Sequence, residues 1–117
     1  YSQQLSHVQW IQPPQVPVGY EHGWQSYVCL VVAERGHEYR NQLMDELQSK
    51  GISTRPGTHA VHMLNFYKHA FNLSPNDFEQ AKKADECSIA LPLHSDINDD
   101  QYEYIVQCIK AFEFCVA

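Results

Sequence analysis

Apolar and polar positions follow two rhythms along the 117 residues. From Tyr27 to Ala33 the run Tyr-Val-Cys-Leu-Val-Val-Ala is apolar on both faces and rich in β-formers, which predicts a buried strand. Gly36 breaks it. From about His37 to Lys50 the period changes, and Tyr39, Leu43, Met44 and Leu47 share one face at helical spacing. Gly51 then stands where a helix C-cap wants glycine, just after Lys50 in the last turn. Ile52 to Thr54 is short and β-leaning, and Pro56-Gly57 ends it. The periodicity of His59 to Ala70 is mixed and fits a helix or an irregular loop. Ser74-Pro75-Asn76-Asp77 predicts a helix start, with a serine cap, proline at the first position and an acid three residues after the cap. That helix is expected to run to about Asp85. Cys87 to Leu91 reads as a third strand, stopped by Pro92. Asn98-Asp99-Asp100-Gln101 opens the last helix with a cap and acids against the dipole. Its buried stripe is Tyr102, Ile105, Val106, Ile109 and Phe112.

The first 23 residues break this regularity. Pro13, Pro14 and Pro17, followed by Gly19 and Gly23, oppose helix and favour an extended path. Residues 1–23 are therefore expected to form an extended arm or linker, which dresses this domain or leads back to another. Residues 24–117 form the domain itself. Strand, helix, strand, two helical segments, strand and helix describe a two-layer α+β domain with a small three-stranded sheet covered by helices. The direction of the strands is left open by the pattern.

Length fits one compact domain with a core of its own. A hydrophobic content of 44% with 19% charged residues is globular rather than disordered. The net charge of -6, from 14 acids against 8 bases, repels a phosphate backbone and argues against nucleic acid as partner. A local basic pocket for a small phosphorylated ligand stays compatible with it. Cys29, Cys87, Cys108 and Cys115 form no Cys-x-x-Cys pair and sit in apolar runs, as core thiols in a reducing cytoplasm do. No signal peptide is visible, and the longest apolar run is too short for a bilayer. The expected location is cytoplasmic. A chain that starts at Tyr1 without methionine fits a trimmed start or a domain of something longer.

Among residues with chemistry, His59-x-x-His62 and His69 place three imidazoles within eleven residues. Zinc takes such ligands, but no cysteine or acid stands close by in sequence, and a catalytic site needs an oriented second shell. Ordinary surface or pocket histidines are the alternative, and no metal is expected. There is no Gly-x-Ser-x-Gly elbow, no Walker motif and no Gly-x-Gly-x-x-Gly. Lys50, Lys68, Lys82, Lys83 and Lys110 map mostly to exposed helix faces, where a Schiff-base lysine would not sit. The segment from Gly51 to His62 differs in kind. It joins a strand-end arginine, Arg55, to a Pro-Gly turn and two histidines, and leads to Phe66 and Tyr67. Arg55 suits a phosphate or carboxylate fork, and His62 suits donation to sugar hydroxyls or phosphates. The alternative is that Arg55 pairs with a surface acid and the turn only redirects the chain.

His22-Gly23-Trp24-Gln25-Ser26-Tyr27, Leu43 through Gly51-Ile52, Thr54-Arg55-Pro56, His62 and Ala90-Leu91-Pro92-Leu93-His94 occur in one order with sensible spacing. This ordered set resembles the C-terminal domain of sugar aminotransferases of the DegT/DnrJ/StrS type, over about Val8 to Phe112. These are fold-type I enzymes that use pyridoxal phosphate (PLP) to aminate keto sugars carried on nucleotides. The resemblance implies that the lysine anchoring PLP, the acid facing its pyridine nitrogen and most of its phosphate cup belong to a large domain before Tyr1. It implies no cofactor in this chain, PLP in the full-length enzyme, and no transaminase activity here alone. The implied partners are that large domain or a homodimer mate, and a nucleotide sugar. The implied substrate-facing residues are Arg55 and His62, then His59 and Tyr67, with Trp24 and Tyr27 packing at the domain junction. Ala60-Val61 departs from the Pro-Leu pair that often precedes the histidine, and Thr58-His59 replaces residues that are often aromatic.

The aminotransferase domain competes with two other readings. One is a free-standing module binding a small ligand or a protein, and the other is a metal protein built on His59, His62 and His69. An exposed apolar patch around Trp10, Ile11 and Trp24, with self-association, is expected of a domain that lost its neighbour.

Overall fold

The strand expected from the run at Tyr27 forms the centre of a four-stranded antiparallel sheet. The computed structural model describes residues 1–32 and 34–114, so the Ala33 end of that run and the reading of Cys115 lie outside the described residues. The strands are β1 (Ile11–Gln12), β2 (Tyr27–Val31), β3 (Arg55–Pro56) and β4 (Ser88–Leu91). Their order across the sheet is β1-β2-β4-β3. Among the described residues five helices accompany them: α1 (Ser2–Leu5), α2 (Gly36–Ser49), α3 (Asn65–Ala70), α4 (Glu79–Cys87) and α5 (Asp99–Lys110). A 3-10 turn, Val61–Met63, precedes α3.

Register follows from the need to bury one set of side chains. Tyr27 pairs with Leu91, Cys29 with Ile89 and Ile11 with Val31. All six lie at 4% exposure or less, in one cluster with Leu43 and Leu47 of α2 and Ile105, Val106 and Ile109 of α5. The alternate residues Val28 and Leu30 take the other face and are only half-buried, while Val32 beyond them is exposed. One face of the sheet is thus the core and the other is partly open. Arg55 pairs with Ala90, which pairs with Val28, so Arg55 belongs to the more open face.

The caps behave as their chemistry demands. Asn98 accepts from the Gln101 backbone N–H at 2.9 Å, while the Gln101 side chain accepts from the Asn98 N–H at 3.0 Å. This reciprocal box fixes the start of α5. Gly51 has φ +78, the left-handed turn that ends α2 without a Cβ penalty.

Several expectations need correction. The sheet has a fourth strand, because Ile11–Gln12 pairs with β2. The strand expected at Ile52 to Thr54 lies later, at Arg55–Pro56. Ile52 instead turns into the core and donates its N–H to Leu47 at 2.9 Å. Proline is tolerated in β3 because β3 is an edge strand. The helix expected from Ser74 starts only at Glu79. Ser74, Asn76 and Asp77 satisfy one another locally instead, with the Ser74 N–H donating to Asp77 Oδ2 at 2.7 Å. The apolar patch expected around Trp10 and Ile11 is not exposed. Ile11 is buried, and Trp10 packs edge-on against Phe112 and Phe114. Trp24 remains partly exposed, stacked between His22 and Tyr27.

Candidate functional site

Arg55 lines a cleft of about 280 Å³ at one end of the sheet. Gln25 and Ser26 come from the approach to β2, Ser53 and Thr54 from the segment before β3, and residues 90–93 from the end of β4. The lining includes three hydroxyls and a carboxamide but no acid. Of the three arginines, Arg35 pairs with Glu38 at 3.2 Å, and Arg40 is buried and bonded to backbone carbonyls. Among the described residues the Arg55 side chain has neither an ion-pair nor a hydrogen-bond partner. In a chain with an excess of acids, that leaves a guanidinium free to take an oxyanion from outside.

Two features hold the Arg55 strand in place. The Gly57 N–H donates to the Ser88 carbonyl, prolonging the pairing of β3 with β4 by one bond. A Cβ on Gly57 would lie 2.9 Å from Ser88 Cβ, with Val28 closer still, so only glycine allows this approach. Arg40 (5% exposed) donates to the carbonyls of Asp85 and Ser88 at 3.1 and 2.9 Å, and to Asn41 Oδ1 at 2.8 Å. It thereby ties α2 to the turn where α4 becomes β4.

The other candidate residues do not share the cleft. His62 is 7% exposed, and its Nε2 donates to the Pro75 carbonyl at 3.1 Å while its ring meets Phe78 edge-on. It braces the turn before α4 and has Nδ1 left to offer. His59 is exposed, with Nδ1 3.5 Å from Asp85 Oδ1. Tyr67 is 39% exposed and stacks parallel to Phe71. No group of three metal-ligating side chains converges among the described residues, so His59, His62 and His69 do not meet around a common point.

Val61, Leu64, Phe66, Phe71 and Phe78 are exposed apolar side chains outside the cleft lining. Burial acts on Cys29, Tyr1 and Tyr27. It pushes the Cys29 thiol up to about 12 and raises the hydroxyls of Tyr1 and Tyr27. None of these is poised as a nucleophile near neutral pH. Among the described residues no helix is long and apolar enough to cross a membrane.

The family model for DegT/DnrJ/EryC1/StrS aminotransferases matches residues 1–110. The chain belongs to this family. Its similarity to MJ1066 of Methanocaldococcus jannaschii is 24% identity over 110 residues, which is 94% of this chain and 28% of that protein. Among solved structures it superposes on Spr1654 from Streptococcus pneumoniae, assigned as a sugar aminotransferase and solved in its PLP form. The TM-score is 0.83 at 24% identity, over 94% of this chain and 28% of that one. PseC of Helicobacter pylori, an aminotransferase in the biosynthesis of pseudoaminic acid, gives 0.81 at 16% identity, over 94% and 29%. The chain therefore spans less than a third of the relatives it matches. At these identities the superpositions establish the aminotransferase C-terminal fold.

Aminotransferases of this family depend on PLP, which needs a desolvated lysine as its anchor. The lysines here do not fit that role. Lys50 pairs with Glu46, Lys82 donates to Asn76 and Lys110 donates to Gln4, all at 2.9 to 3.1 Å. Lys68 and Lys83 are exposed, and no lysine lines the Arg55 cleft. The sequence pattern singled out Arg55 as a candidate but not the residues that line the cleft with it. Ser53 and Thr54 were legible as adjacent polar residues, whereas Gln25, Ser26 and residues 90–93 join the cleft only through strand pairing.

Proposed function

We propose that this chain is the small C-terminal domain of a sugar aminotransferase and forms one wall of its nucleotide-sugar pocket. Arg55 is the principal ligand-facing group, taking an oxyanion of the substrate. His62 acts next to it in importance, holding the Pro75 turn through Nε2 and presenting Nδ1. His59 and Tyr67 supply outer contacts. The free guanidinium of Arg55, set among hydroxyls with no acid in the cleft, is the single observation that carries this reading. Chemistry that needs PLP belongs to a lysine outside these residues, so the isolated domain binds but does not transaminate. The full assembly requires the large PLP-binding domain or a homodimer partner.

A second reading, a free-standing module that binds a small ligand or a protein, is favoured by the closed core. Leu5 and Ile11 from the first twelve residues complete the cluster built on α2 and α5.

Purified chain mixed with PLP and then with a nucleotide sugar tests the first reading. The expected result is no visible band of lysine-bound PLP, together with amide NMR shifts near Arg55 and His62 on adding the nucleotide sugar. A stable PLP band, or nucleotide-sugar shifts confined to other surfaces, would contradict it.

A further inference from the structure

A second, larger depression of about 780 Å³ lies against the Arg55 cleft. Ser53 and Pro92 line both, so the two are neighbouring parts of one surface. Their chemistries differ. The Arg55 end is polar, with hydroxyls and a free guanidinium and no acid. The other end has an apolar lining from Ile52, Ile97 and Ile105 with the half-exposed ring of Tyr104, while Gln101, His94 and Asp96 add the polar contacts. Tyr104 is held in place, since its hydroxyl donates to the Lys50 carbonyl at 3.1 Å and the N-terminal turn of α5 is locked by the Asn98–Gln101 box.

From this juxtaposition we infer that the two depressions form one trench for a small amphipathic oxyanion: a phosphate ester or carboxylate carrying an aromatic or branched aliphatic body. The orientation is dictated by charge. Asp96 repels an anion from the apolar end, and Arg55 attracts it at the other. An aromatic body lies over Tyr104 and Ile97, where ring contact and apolar burial act together. Because the trench includes Arg55, it rests on the reading of Arg55 as ligand-facing. Its apolar half does not.

Amide NMR titrations of the 117-residue chain with inorganic phosphate, phenyl phosphate and phenylacetate separate the two halves. Inorganic phosphate should move only the amides around Ser53 to Arg55. At least one of the two aromatic anions should also move Ile97, Gln101 and Tyr104 and bind about tenfold more tightly than inorganic phosphate, the ratio expected from removing about 55 Å² of ring from water. The stronger of the two tells which oxyanion the Arg55 end prefers. Arg55→Gln should abolish binding of all three, whereas Tyr104→Ala should remove the tenfold gain and leave phosphate binding intact. Both aromatic anions binding no tighter than phosphate, with residues 97–104 unmoved, overturns the trench but spares Arg55 as a ligand-facing residue. If no anion moves residues 53–55, both fall.

Discussion

Gly57→Ala is the perturbation whose effect can be worked most directly from the structure. Gly57 needs no unusual backbone angle, so the whole effect is steric. The added methyl would lie 2.8 Å from Ser88 Oγ and 2.9 Å from Ser88 Cβ, with Val28 nearer still. Ser88 is 2% exposed and on the central pair of strands, so it has no room to yield. β3 must move instead. Overpacking of this kind costs about 2 kcal/mol, within a general range of about 1–3. Losing the Gly57 to Ser88 hydrogen bond adds about 1 kcal/mol. With a urea m-value of about 1–2 kcal/mol per M for a domain this size, the midpoint should fall by about 1.5–3 M. Because Arg55 is two residues away on the same short strand, phosphate-induced shifts at Ser53 to Arg55 should also weaken. Val28→Ala in the same chain should restore part of the stability, as expected of two neighbours that compete for one space. A loss below about 0.5 kcal/mol, with β3–β4 amides still protected, would refute the close-approach account of this glycine.

Other outcomes follow from separate parts of the molecule. Arg40→Ala removes the donors that satisfy the Asp85 and Ser88 carbonyls and should cost about 3 kcal/mol in urea unfolding, with Arg40→Lys recovering part of it. An effect near zero would mean those carbonyls find water. Alkaline pH should destabilise the fold, because burial holds the Cys29 thiol protonated up to about 12 while the unfolded thiol ionises near its ordinary value of 9.0. The raised native value makes this contribution complete below pH 9 and loses it at about 1.4 kcal/mol per unit between 9 and 12, with Tyr1 and Tyr27 adding in the same direction. Cys29→Ala should flatten that slope, and an unchanged slope would assign the loss elsewhere. The exposed rings of Phe66, Phe71 and Phe78 should drive concentration-dependent self-association of the chain in sedimentation, reduced by Phe66→Ser with Phe71→Ser. A clean monomer at all concentrations would contradict it.

What the sequence made legible were features whose physics is local. The Asn98 cap, the Gly51 cap, the stripe of α5 and the run at Tyr27 each involve residues within a few positions of one another, and each appears in the structure. The features that escaped depend on distant partners. Ile11–Gln12 is too short and too close to Pro13 to read as a strand, and it becomes one because Val31 and Leu30 lie opposite. Ser74 through Asp77 carries a good helix-start pattern, but the same side chains close a turn on themselves first. His59 to Ala70 looked irregular because a 3-10 turn and a short helix share it. Arg55 was visible as a candidate from its neighbours in sequence. Its lack of a partner, which gives it weight, required the whole surface.

The central claim is that these residues are one domain of a larger aminotransferase. The size of the native polypeptide in its source cells, measured by immunoblot against this domain, tests it most directly. A band more than three times 13.5 kDa is expected if the 110 aligned residues are 28% of the whole, as they are of MJ1066. A band at 13.5 kDa would contradict it, and binding would then have to replace transamination as the activity.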